Sequence, residues 1–290
     1  MKIKNIVLGL LLGLAILFTT YFICDFCLDL SKDFSLWGFG ALLGFILLFF
    51  TTHFYYSKGK KLISTKLIMF LLVFAVVIFI FMSAPSMRFA SKVLPSYISF
   101  LLGVLAGAIY SDRKIQKRHL YTSLLFLFPF FLNLNFYTSW VHFIEFGNIS
   151  GKVDEQIYVP FEVQNIDNKI LQNDSFKGKV VVLDFWFISC GPCWVKFPDL
   201  QKLYDKYKEN PQVEIYAVNR PMPKDKPNQL FEAIEEKGYT FPVLKGTQKV
   251  MDDFDIYVYP TIVVLDQEGN VAFMGKIEGV EDVIQKLTNE

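Results

Sequence analysis

Asp184-Phe185-Trp186-Phe187-Ile188-Ser189-Cys190-Gly191-Pro192-Cys193 is an apolar run that ends in two thiols separated by a Gly-Pro pair. Val180-Val181-Val182-Leu183 extends it upstream, so Val180–Phe187 has the continuous apolar, β-branched and aromatic character of a strand covered on both faces. Beyond Cys193 the spacing becomes helical to about Glu209, with Pro198 as an expected kink. Cysteines at this separation at the mouth of a helix lie about one turn apart, near enough to close a small disulfide or to stand open as a dithiol. The stretch reads as redox chemistry on a strand-to-helix turn.

The chemistry assigns roles along the stretch. Only a thiolate attacks a disulfide, and the unpaired N–H groups and dipole of a helix N-terminus stabilise that anion. Cys190, at the helix mouth and the more exposed, is the expected nucleophile, and Cys193, more buried, resolves the mixed disulfide. Pro192 shapes the helix start and Gly191 leaves room for a substrate chain. Asp184, flanked by Leu183 and Phe185, is expected to be buried, where a carboxyl has a raised pKa and can take the proton from Cys193.

Around this stretch strand and helix patterns alternate, which favours an α/β layer with a mixed sheet. Further strands are expected at Val159–Val163, Val213–Val218, Thr261–Asp266 and Val271–Gly275, and helices at Asn228–Lys237 and from Val280 to the C-terminus. Asp266-Gln267-Glu268-Gly269-Asn270 joins the last two strands as a hairpin, with Gly269 free to take positive φ. Upstream, Gly147 to Lys152 is a linker. It separates a soluble domain at 153–290 from a helical domain at 1–146.

That first domain holds nearly all the excess of a chain that is 53% hydrophobic. Uncharged apolar runs occur at Asn5–Cys24, Leu36–Tyr56, Leu67–Ala84, Val93–Tyr110 and Leu120–Ile144, each near the roughly 20 residues of a bilayer-crossing helix. The first lacks the short apolar core and cleavage site of a signal peptide. Lys2 and Lys4, then Lys58, Lys60, Lys61 and Lys66, then Arg113, Lys114, Lys117 and Arg118 fall in alternate loops, against Lys32, Arg88 and Lys92 in the others. By the positive-inside rule five spans place the N-terminus inside and the soluble domain outside. No span interior carries Asp, Glu, Lys or Arg, which argues against an ion path. His53 and His142, near span ends, are expected to be interfacial or packed residues and not ligands.

The soluble half resembles the thioredoxin fold, and more closely the extracytoplasmic thiol-disulfide oxidoreductases of the TlpA/ResA type. Phe176-Lys177-Gly178-Lys179-Val180, Phe185-Trp186, Cys190-Gly191-Pro192-Cys193, Phe197-Pro198, Ala217-Val218-Asn219, Phe241-Pro242-Val243-Leu244 and Tyr259-Pro260-Thr261 carry the resemblance. It implies that Asp184 is the family's buried acid and that Pro260 is its cis-proline. The Tyr259 backbone would then pair with an incoming peptide, with Trp186, Gly191 and Pro192 at the substrate surface. Two residues depart from the pattern. Ser189 stands where many relatives carry Trp, opening the surface, and Lys196 stands where close relatives often carry Glu, turned either to the site or to solvent.

The expected function is a membrane-anchored disulfide reductase on the extracytoplasmic side of a bacterial cytoplasmic membrane. It would act on protein dithiols and disulfides with no cofactor beyond the Cys190–Cys193 disulfide, and with a membrane electron donor or acceptor as its other partner. The formal charge of +1 averages over two unlike halves and says nothing about nucleic-acid affinity, but the sequence has no basic stripe interleaved with aromatics, and no nucleic-acid partner is expected. Two Cys-x-x-Cys pairs without neighbouring His give no metal site. Cys24 and Cys27 are either packing residues or a second redox pair that relays electrons to quinone or a membrane partner. A redox sensor or assembly subunit is a third possibility, disfavoured by the short inner loops.

Overall fold

A computed structural model describes residues 3–30, 37–226 and 229–288 of the chain. Lys2, Lys32, Leu36, Asn228 and the last two residues of the expected C-terminal helix lie outside the described residues. The chain divides into two units, Met1–Ile144 and Glu145–Glu290.

The first unit is helical. Helices α1 (Ile3–Leu30), α2 (Trp37–Lys58), α3 (Thr65–Ser83) and α4 (Met87–Ser111) are each long and apolar enough to cross a membrane. Two extend beyond expectation: α1 runs past Cys24 and Cys27, and α4 takes in Arg88 and Lys92, which the sequence predicts in a loop. Pro95 sits inside α4 without ending it. Its missing N–H frees the carbonyl four residues back, Ser91, and Trp140 Nε1 donates to that oxygen at 2.9 Å. The fifth expected span is not one straight helix. It is α5 (Arg118–Phe131), a π turn at Leu132–Phe136 and α6 (Tyr137–Phe146), bent by 63° after Pro129. Four helices therefore qualify among the described residues, or five with the bent pair as one crossing.

Without a hydrophobic drive between helices in lipid, close backbone packing and polar pairs hold such a bundle. A Cβ on Gly103 would stand 2.5 Å from the Phe45 carbonyl oxygen, and one on Gly107 2.6 Å from that of Phe49, so α4 lies directly on the α2 backbone. Hydroxyl pairs Ser83–Tyr97 and Ser96–Tyr137, each 2.8 Å, add polar contacts. His53 is packed as expected, its Nδ1 2.9 Å from Ser111 Oγ.

The second unit is an eight-stranded mixed sheet in the order β1-β8-β7-β4-β5-β6-β2-β3. The strands are β1 (Lys152–Tyr158), β2 (Glu162–Gln164), β3 (Ile170–Gln172), β4 (Val180–Trp186), β5 (Val213–Asn219), β6 (Val243–Lys245), β7 (Thr261–Leu265) and β8 (Asn270–Gly275). Helices α7 (Gly191–Tyr207), α8 (Gln229–Glu236) and α10 (Val280–Thr288) pack on one face; α9 (Gln248–Asp253) lies on the other. The expected strand at Val159–Val163 is corrected: the chain pairs before and after Pro160, which has no N–H for a ladder, so β1 and β2 replace it. Lys152, predicted in the linker, opens β1. The α7 helix continues through Pro198. In the hairpin turn, Asp266 Oδ1 accepts from the N–H groups of Glu268 and Asn270 at 3.0 and 2.8 Å, with Gly269 at φ +89°.

Filling the α2–α4 contact tests this packing. Gly103→Leu in the full chain is expected to lower stability by about 1–3 kcal/mol, the usual cost of overpacking a tight contact. Thermal unfolding in detergent micelles reads the loss; an unchanged midpoint would show that α4 does not rest on α2 there.

Candidate active site

Every residue of β4 is buried, and alternation sorts its side chains. Val181, Leu183 and Phe185 enter the core beneath α9, whereas Val180, Val182 and Trp186 enter the core beneath α7. Asp184 is in step with the second set and so points to the face that α7 covers. It is 1% exposed, and its Oδ1 has no hydrogen-bond partner among the described residues. Burial holds its carboxyl well above the ordinary range.

The chain leaves β4 through a turn closed by the Cys190 N–H on the Phe187 carbonyl at 3.0 Å. The Trp194 indole N–H fixes the turn from the helix side, donating to Ile188 O at 2.8 Å. Cys190 is the N-cap of α7, with φ −80° and ψ 95°, and Pro192 occupies the first turn, where its missing N–H costs nothing. In place of the usual capping oxygen, Cys190 Sγ accepts from the Cys193 N–H at 3.2 Å. The two sulfurs form a disulfide, with Cα atoms 5.3 Å apart. When the bond is reduced, the same N–H and the helix dipole favour thiolate at Cys190.

Cys190 is the more exposed thiol, but only by 3% against 0% for Cys193. Ser189, Gly191 and Pro192 beside it are exposed, and a Cβ on Gly191 would meet nothing within 4 Å. The antiparallel pairing of Phe185 with Thr261 brings the start of β7 to this end of the sheet. There the Tyr259–Pro260 bond is cis, and the Tyr259 ring lies 5.1 Å from that of Phe187, edge to face.

One expectation is corrected and two are sharpened. Trp186 cannot meet a substrate directly: it is fully buried on the inward face of β4, its ring 4.9 Å from Phe197 and 5.3 Å from Trp194, so it supports the dithiol turn from below. Lys196 takes the surface role of its two expected ones, pairing with exposed Glu278 at 2.6 Å and approaching Asp199 at 3.8 Å, and the Glu278 contact raises its pKa. Cys24 and Cys27 lie in the last two turns of α1, both buried, with no disulfide between them. Residues three apart on a helix have Cβ atoms about 5–6 Å apart, whereas a disulfide needs about 3.5–4.5 Å, so closing this pair requires α1 to unwind locally. Phe187, Trp194 and Arg220 also shape the site. Sequence reasoning missed them because their roles come from the sheet register and the turn, although Arg220 directly follows the recognised Ala217-Val218-Asn219.

The AhpC/TSA family model matches residues 155–274. "Thioredoxin-like protein YneN" of Bacillus subtilis is 26% identical over 134 residues, 46% of this chain and 78% of that protein. "Thiol-disulfide oxidoreductase ResA" of Bacillus cereus is 32% identical over 134 residues, 44% of this chain and 75% of that protein. A crystal structure of a putative thiol-disulfide oxidoreductase from Bacteroides vulgatus aligns with 48% of this chain and 99% of its own, at 18% identity and a TM-score of 0.42.

The buried Asp184 sets a pH dependence with a definite sign. Below the ordinary carboxyl range both folded and unfolded chains hold this proton, and the group costs nothing. As pH rises the unfolded chain releases the proton first, so stability falls until pH reaches the raised folded value. Asp184→Asn is therefore expected to stabilise the chain at neutral pH and to match the wild type near pH 3, measured by denaturant unfolding across pH. A gain that does not change with pH would contradict the buried, protonated carboxyl.

Proposed function

We propose, from the premise that this chain belongs through its second unit to the ResA-type thiol-disulfide oxidoreductases of the AhpC/TSA family, that it reduces protein disulfides outside the membrane that its first unit spans. The observation that carries this reading is the Cys190 sulfur at the N-cap of α7, receiving a backbone N–H at the same end of the sheet as the cis Tyr259–Pro260 bond. It supports a thiolate nucleophile at the end of the sheet where the Tyr259 backbone would receive an extended chain.

In the reduced enzyme the Cys190 thiolate attacks one sulfur of the substrate disulfide, forming a mixed disulfide and expelling the other sulfur as thiolate. Asp184, on the face of β4 that α7 covers, takes the proton from Cys193 when its carboxyl is ionised, and its raised proton affinity favours that transfer. Cys193 then attacks Cys190 Sγ and releases the second substrate thiolate. Two electrons pass to the substrate and the enzyme is left with the Cys190–Cys193 disulfide. Gly191 and Pro192 border the approach and Tyr259 offers its backbone to the substrate.

Four apolar helices, with the bent pair as a fifth crossing, support a membrane anchor, and the Lys and Arg loops support an N-terminus inside and the dithiol outside the cytoplasmic membrane. A donor in that membrane resets the disulfide. Trapping tests the proposal: Cys193→Ser, expressed as the full chain, is expected to accumulate mixed disulfides through Cys190, resolved as reducible bands and absent from Cys190→Ser. If Cys193→Ser traps no protein, the dithiol does not turn over protein disulfides.

A further inference from the structure

Beside the dithiol the chain builds a ledge whose outer member is a cation. The Arg220 N–H donates to Trp186 O at 2.7 Å, which fixes residue 220 at the end of β4 that leads into the dithiol turn. Its guanidinium carbon lies 5.9 Å from the centre of the Tyr259 ring, that ring packs on Phe187, and the Phe187 carbonyl accepts from the Cys190 N–H. An unbroken series of contacts thus runs from the guanidinium through the residue before the cis-proline to the reacting cysteine.

The guanidinium is held but not neutralised. Its Nε donates to Gln248 Oε1 at 3.0 Å, and the amide of that glutamine donates to Asp252 Oδ1 at 2.7 Å, so the nearest carboxylate on this side is one residue removed. No carboxylate lies within ion-pair distance of Arg220 among the described residues. The other cation near the start of α7, Lys196, is paired with Glu278. Arg220 is half-buried, with terminal N–H groups in a planar fork suited to a carboxylate. Ser189, Gly191 and Pro192, the exposed residues at the dithiol, carry no charge, and this guanidinium adds positive charge on the Tyr259 side.

We propose that Arg220 is a specificity-determining residue that pairs with a carboxylate beside the reacting cysteine of the substrate. The inference rests on the reading that this dithiol reduces protein disulfides laid along Tyr259, and adds which ones it prefers. An acidic side chain flanking the cysteine meets the guanidinium fork as the chain docks, whereas a lysine there meets like charge.

The test uses the full chain in detergent micelles, reduced beforehand, and three peptides that each hold one internal disulfide flanked by Asp, Asn or Lys. Their reduction is followed as formation of the Cys190–Cys193 disulfide. For the wild type, kcat/KM for the Asp peptide should exceed that for the Lys peptide by about two- to fivefold, as a half-exposed pair allows, and the ratio should shrink with added salt. Arg220→Lys should keep the order, Arg220→Gln should bring the ratio towards one, and Arg220→Glu should invert it. A wild-type ratio near one, or one that survives in Arg220→Gln, overturns the inference even while the peptides turn over. Failure of the wild type to reduce any of the three would instead remove the reductase reading beneath it.

Discussion

The second unit depends on one strand being dry on both sides. Strand β4 has α7 over one face and the α9 side over the other, and every ladder bond goes to β5 or β7, so its backbone cannot shift without exposing core. A rigid strand end is a fixed origin for the turn and the helix start that carry the two sulfurs. The same dryness that fixes the strand raises the proton affinity of Asp184, the one carboxyl it carries. Positioning and proton handling at this site thus have a common cause.

The first unit is built from helices long and apolar enough for a lipid solvent. Its helices satisfy their own backbones, and where one fails, at Pro95, a tryptophan from α6 supplies the missing donor. Glycines on α4 let it lie on α2, and hydroxyl pairs sit where charges would be costly. None of this needs residue types with chemistry of their own. Cys24 and Cys27 fit the pattern as buried small side chains on a continuous helix.

Much of this was legible in the sequence where a long pattern carried it. β4, β5, β7, β8, α7, α8 and the four straight apolar helices announced themselves by periodicity over a turn or more. So did the burial of Asp184, through its apolar neighbours. The three-residue strands β2, β3 and β6 did not, because so few residues show no period, and Pro160 split one apparent strand in two. The bend after Pro129 was hidden for a related reason: hydropathy averages over a π turn without sensing it. The fate of Lys196 depended on Glu278, distant in the chain, and the ledge of Arg220 and Tyr259 depended on register, which a single sequence does not state.

The coverage of the disulfide has a consequence of its own. With Cys190 only 3% exposed and Cys193 wholly covered, the bond presents almost no target to molecules that strike it at random. An attacking sulfur must therefore come in over the exposed rim of Ser189, Gly191 and Pro192. The rate of exchange at this bond is set by approach to that rim as much as by the reactivity of the sulfurs.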